Sequence, residues 1–200
     1  MLSTVDIVNS ALTLIGGSRI TDLSDGTKNA NVAGALFTQI RDDLLRSHAW
    51  NFATLRQKLA QSATAPKFGF DHAYPLPANW LRTLQVSGDD DGATTIEYQV
   101  EEIAGQRAIV TDHDDVWLRY VAQVTDPNMM TSDFVSALRL ALARDMAVPI
   151  AASNTLQANF ERQAARALGR ARSMDSLGQT AERRPRGSWA TVRGGEYGGF

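Results

Sequence analysis

The sequence predicts an α+β chain, mainly α: an antiparallel helix bundle with a small antiparallel β-sheet inserted between its helix pairs, and an extended C-terminal arm. Three observations point there. Apolar residues recur at helical spacing near both ends, the middle breaks into short β-prone runs between prolines and polar turns, and the last stretch has no apolar period. The expected division is residues 1–50 with 126–175 as the helical bundle, 51–125 as the β-rich insertion and 176–200 as the arm.

The first helix is marked by Ser3 as N-cap with Asp6 three residues on, by Val8, Ala11, Leu12 and Ile15 along one stripe, and by Gly16-Gly17 as its stop. A turn-rich link over 21–31 leads to a second helix striped by Ala33, Leu36, Phe37, Ile40, Leu44 and Leu45, with Arg41, Asp42, Asp43 and Arg46 largely on the wet side. Pro66, Pro75 and Pro77 then interrupt any helix. Strands are expected at 55–59, 81–86, 95–100, 108–111 and 116–121, separated by polar turns at 88–92 and 112–115. After Asp126-Pro127, Thr131 or Ser132 caps a third helix with Val135, Leu138, Leu142 and Met146 inward, ending at Pro149. A fourth runs over about 154–173, and its inner residues Leu156, Phe160, Ala164, Leu168 and Ala171 make a narrow stripe that lets another helix approach closely. Beside the apolar 134–148 helix, this stripe predicts more apolar surface than a slim single chain hides, and so packing between copies. Residues 174–200, rich in Gly, Ser and Arg and without an apolar period, are expected to be extended or disordered on their own in water.

Composition narrows the classes of function. Hydrophobic residues make up 44% and charged ones 21%, the balance of a folded, water-soluble protein. No run of about 18 apolar residues offers a membrane span, and residues 5–15 lack the basic flank of a signal peptide. The absence of cysteine removes disulfides, thiolate nucleophiles and cysteine-based zinc sites together. The net charge of −2 hides an asymmetry: from Phe160 onward 8 Arg face 4 acids, whereas before it 12 bases face 18 acids. A basic end on an acidic body suits docking onto acidic neighbours, other copies of the chain included.

Sites of chemistry are scarce. His48, His72 and His113 are scattered over a helix end, a strand edge and a turn, without ligand spacing, so no metal is expected. The acidic turn 87–92 is a poor calcium loop: aligning Gly92 with the invariant glycine puts Tyr98 where a bidentate glutamate belongs. Asp112, Asp114 and Asp115 read as hydrated turn residues. Neither a Gly-x-Ser-x-Gly elbow nor a Gly-x-x-x-x-Gly-Lys loop occurs, so no catalytic residue and no cofactor is assigned and the chain is not expected to be an enzyme. What remains is the tail: Arg183, Arg184, Arg186, Trp189 and Arg193 form a basic arm with one aromatic anchor, which fits docking to a protein partner. The same Arg/Gly-rich composition supports a rival reading as a nucleic-acid-binding segment, against which stands a sequence pI near 5.9.

Five stretches, in their order and spacing, resemble the tail tubular protein A family, the head-to-tail adaptors of podoviruses, over nearly the whole chain. They are Val8-Asn9-Ser10-Ala11-Leu12 with Ile15-Gly16; the helix end running into Ser47-His48-Ala49-Trp50-Asn51-Phe52; Phe68-Gly69-Phe70 through Leu76-Pro77 with Leu81-Arg82; Leu118-Arg119-Tyr120 with Thr125-Asp126-Pro127; and Ser188-Trp189 with Val192-Arg193-Gly194. Residues 194–200 run past the matched part. The resemblance implies a structural virion protein made in the host cytoplasm, with no catalytic residues to transfer. It further implies a dodecameric ring between portal protein and tail nozzle protein, through whose lumen genomic DNA passes without specific binding, and no membrane partner.

Overall fold

The computed structural model describes residues 1–178, which form four α-helices and six strands. Helix α1 (Thr4–Leu14) starts on a reciprocal cap, in which the Asp6 N–H donates to Ser3 Oγ at 3.1 Å and the Ser3 N–H to Asp6 Oδ2 at 2.9 Å. It stops where Gly16 turns left-handed, φ 73°, letting the Gly17 N–H reach back to the Leu12 carbonyl at 2.8 Å. Helix α2 (Lys28–Arg46) is capped by Thr27, so the link ends earlier than the turn residues suggested. Arg41 is another departure: at 6% exposed it is buried, stacked 5.9 Å from the Phe37 ring and paired to Asp42 at 2.8 Å, because its aliphatic stem covers apolar surface while the guanidinium finds a carboxylate.

Helix α3 (Ser132–Ala151) is capped by Thr131 and runs straight through Pro149. The proline sits on the exposed side in the last turn, where only one backbone bond is forfeited. The helix ends instead at Ala152, whose left-handed φ of 50° lets its N–H close on the carbonyls of Ala147 and Val148. Helix α4 (Asn154–Leu177) continues past the expected stop at 173. It folds back on α3, burying Phe160, Ala164, Ala167 and Ala171. The small-residue stripe is therefore used inside the chain, and the apolar surplus expected between copies does not arise there. Helices α1, α2 and α4 all pack on α3, while α1 and α2 barely touch each other.

The middle of the chain overturns the expected architecture. Strands β1 (Thr54–Leu59), β2 (His72–Pro75), β3 (Trp80–Ser87), β4 (Gln99–Ile103), β5 (Gln106–Thr111) and β6 (Val116–Ala122) build two three-stranded antiparallel sheets, in the orders β1-β6-β3 and β2-β5-β4. Among the described residues 45% are helical and 21% are in strands, so the protein is a mixed α+β fold and not clearly a helix bundle carrying a small sheet. One sheet became two because the pairing is non-local: β1 lies against β6, with Thr54 opposite Val121 and Leu59 opposite Val116, and β2 lies against β5.

The two sheets pack face to face. Leu59, Val86, Val116, Leu118 and Tyr120 of the first meet Tyr74 and Ile109 of the second in one apolar layer. The helical core reaches the first sheet at one end, through Leu81, Leu84 and Val121. A small third cluster, Ala73, Ala108 and Val110 with Phe70 and Ile103, covers the far side of the second sheet. No helix among the described residues is long and apolar enough to cross a membrane.

Candidate functional site

The stretch Ser47-His48-Ala49-Trp50-Asn51-Phe52 is the joint between helices and sheets. Trp50 is fully buried, donates from Nε1 to the Leu44 carbonyl at 2.9 Å and meets the Phe134 ring edge-on at 5.0 Å. His48 Nε2 lies 3.1 Å from the buried carboxylate of Asp175, which also accepts from the Asn51 N–H at 3.1 Å; the Asn51 side chain donates to the Asp175 carbonyl at 2.7 Å. The end of α4 is thus clasped to the turn from which β1 begins. This cluster is architectural, since every polar group named has a partner within the chain.

The exposed chemistry lies on the outer face of the first sheet, turned away from the second. Antiparallel partners share a face, so three cross-strand rows follow from the register: Thr54–Val121–Arg82, Arg56–Arg119–Gln85 and Lys58–Trp117–Ser87. The first row closes against the helical core through Val121. The other two floor an open groove of about 420 Å³. Four cations, Arg56, Lys58, Arg82 and Arg119, therefore share one face. Lys58 lies 5.5 Å from the Trp117 ring and pairs with Asp115 at 2.8 Å. Among the described residues, Arg56, Arg82 and Arg119 have no carboxylate partner.

Arg82 and Arg119 also bury Nε without a hydrogen-bond partner. Arg139 and Arg172 on the helices do the same, so that feature alone marks no site. What distinguishes the sheet face is adjacency. Arg56 stands directly opposite Arg119, and like charges in that position weaken a sheet by up to about 1 kcal/mol. An acidic ligand on the face reverses the sign of that contribution. The arrangement sets the cations Arg56, Lys58 and Arg119 in one groove with Ser87 and the carboxylates of Asp89, Asp90 and Asp91.

One rim of the groove is the acidic turn at Asp89, Asp90, Asp91 and Gly92. Its carboxylates are largely committed to their own loop. The Thr94 N–H donates to Asp89 Oδ2 at 2.8 Å, Ser87 Oγ donates to Asp89 Oδ1 at 2.7 Å and the Ala93 N–H donates to Asp91 Oδ1 at 2.9 Å. Bonds from Thr94 and Ser87 hold the Asp89 carboxyl well below the ordinary carboxylate range. The histidines stay apart: His48 sits on Asp175, His72 lies between Gln61 and Asp114, and the His113 carbonyl accepts from the Tyr74 hydroxyl. Among the described residues no group of three or more His, Asp or Glu converges as a metal site.

No family model matches the chain, and no curated protein matches it. The docking arm read from the sequence, Arg183, Arg184, Arg186, Trp189 and Arg193, lies outside the described residues. Sequence reasoning missed the sheet face because Arg56, Arg82 and Arg119 belong to three separate strands and form no linear motif. The available signal was Leu81-Arg82 and Leu118-Arg119-Tyr120, where an arginine interrupts an apolar strand on the side opposite its core residues.

Proposed function

We propose that the chain is a structural subunit of the ring that joins the portal to the tail nozzle of a short-tailed bacteriophage, with genomic DNA passing through the lumen. The resemblance of the five ordered stretches gives the class. The observation that supports the reading is charge presented at two separate places on the two-sheet body, the groove with Arg56, Lys58 and Arg119 beside Asp89, Asp90 and Asp91 being one of them. Unpaired arginines open on one side, and the outer strand of the other sheet, β4, exposes Glu101 and Glu102. A surface and its complement at different places on one molecule make a head-to-tail contact, and such contacts close into rings when the rotation allows. The subunit acts by binding and carries out no reaction.

Joining assays test this reading. DNA-filled heads bearing portals are mixed with free tails, with and without the purified chain, and joined particles are counted by electron microscopy. Joining that depends on the chain supports the adaptor role; joining at equal frequency without it contradicts that role.

A second reading has one observation in its favour. Trp117 flanked by Arg56, Lys58 and Arg119 on a sheet is the stacking-platform pattern of single-stranded nucleic-acid binders, and it moves the nucleic-acid alternative from the Arg/Gly-rich tail to the sheet. The acidic rim weighs against it, since a phosphate backbone crossing the face passes Asp89, Asp90 and Asp91.

A further inference from the structure

We propose that an apolar groove beside the start of β1 is the seat of the chain's own C-terminal arm, with Trp189 as the side chain that fills it. The groove, of about 270 Å³, is formed by residues 52–55 and by the link that leaves β6 for α3, and Phe52, Leu55, Val124 and Met129 give it its apolar lining. Leu55 is 44% exposed and Met129 62%, so two large apolar side chains stand uncovered in one groove. Filling it removes that surface from water and, in the unassembled chain, shelters the indole of the arm as well. The proposal does not depend on the ring reading.

Three features select this occupant. The first is where the described chain ends. Helix α4 stops at Leu177, and Gly178 lies against Asn51: a methyl added to Gly178 would stand 3.3 Å from Asn51 Nδ2, which donates to the Asp175 carbonyl at 2.7 Å. Asn51 immediately precedes Phe52, so the arm departs next to the groove. Trp189 comes 11 residues after Gly178, and at up to about 3.6 Å per residue that length is ample. So short a tether holds the indole near the groove at about millimolar effective concentration, ahead of a free competitor. The second is size, since the groove is smaller than the roughly 300–1,000 Å³ of small-molecule sites and suits one aromatic side chain. The third is polarity. No Lys, Arg or His lines the groove, and Asp126, which does, has no ion pair among the described residues. Arg186 and Arg193 flank Trp189 in the sequence and supply the matching charge, while Asn79 and Thr125 in the lining offer acceptors to the indole N–H.

Disulfide trapping in the full-length chain tests the proposal, since the sequence has no cysteine of its own. One variant carries Met129→Cys with Ala190→Cys. The reference carries Val148→Cys with Ala190→Cys, Val148 being 40% exposed near the opposite end of α3. Both are oxidised gently in dilute solution and separated without reductant. The groove pair is expected to close within one chain about tenfold faster than the reference pair, and to fall to the reference rate when Trp189→Ala removes the anchor. Trp189 lies outside every helix and strand described, so its replacement leaves the fold alone. A Leu55→Cys, Ala190→Cys pair repeats the measurement from β1 and covers the case in which Met129→Cys disturbs the link. Equal rates for groove and reference pairs overturn the proposal, as does trapping that Trp189→Ala leaves unchanged. A disulfide that forms only between two chains also overturns it, and gives the groove to the arm of a second copy.

Discussion

Asn9 shows how a single residue of a weak motif fixes local structure. It is buried in α1, accepts from the Ile20 N–H at Oδ1 at 2.8 Å and donates from Nδ2 to the Ile20 carbonyl at 2.9 Å, so its amide stands in for a backbone partner and ties the link to the helix. Asn9→Ala leaves a buried donor and acceptor unmatched and is expected to lower stability by about 2 kcal/mol, read as a shift of the urea midpoint with unchanged slope. An unchanged midpoint contradicts the clamp. Asp175 plays a comparable part at the far end of the helical half, where its carboxylate collects His48 and Asn51. Neither role was legible in the sequence. The partner of Asn9 lies in an irregular link that has no pattern of its own, and the contacts of His48 and Asn51 come from a carboxylate more than a hundred positions away. What could be read locally was read from local bonds: Ser3 with Asp6, and Gly16 past the end of the helix.

At the scale of elements, the caps of the first and third helices were legible because each depends on neighbours within a few residues, the Thr27 cap of α2 was missed inside a turn-rich link, and strands were only partly legible. Strand β2 is four residues long and ends in Pro75, too short and too interrupted for an alternation to show. The 95–100 run leaves only an isolated bridge between Ser87 and Thr95, and β4 begins at Gln99, because the hairpin that fixes it turns at Ala104-Gly105, both with positive φ. That backbone is the one Asn-Gly usually announces, and an alanine in its place carries no such signal. The caps and turns make their own prediction. Asp6, Asp22, Asp25 and Asp126 are all held below the ordinary value of 3.8, by hydrogen bonds from Ser3, Ser24, Thr27 and Asn128 in turn. A carboxyl whose pKa is lower folded than unfolded gives stability that is complete above the unfolded value and is lost as pH falls through the folded one. The melting temperature is therefore expected to be level above about pH 5 and to fall below 3.8, with a shallower fall in the Asp6→Asn, Asp25→Asn double variant. An acid limb of equal slope in both proteins contradicts that assignment.

For the whole molecule, the sequence conveyed helices at both ends with strands between, and misjudged their balance. Two sheets stacked through a shared apolar layer are a body in their own right, joined to the helices at Trp50 and clasped by Asp175. The overall charge asymmetry was countable in the sequence, but its spatial form was not. Strand register brings Arg56, Lys58 and Arg119 from separate strands onto one sheet face, beside the aspartates of the 89–91 turn. The proposed adaptor role rests on the resemblance, and this face is the part of the described surface where a partner contact is sought. The decisive measurement is the mass of the species formed when the purified chain meets portal rings, with a DNA-only control. The account expects a closed set of copies added to each portal and no complex with DNA alone. Portals that remain bare while the chain binds DNA contradict it.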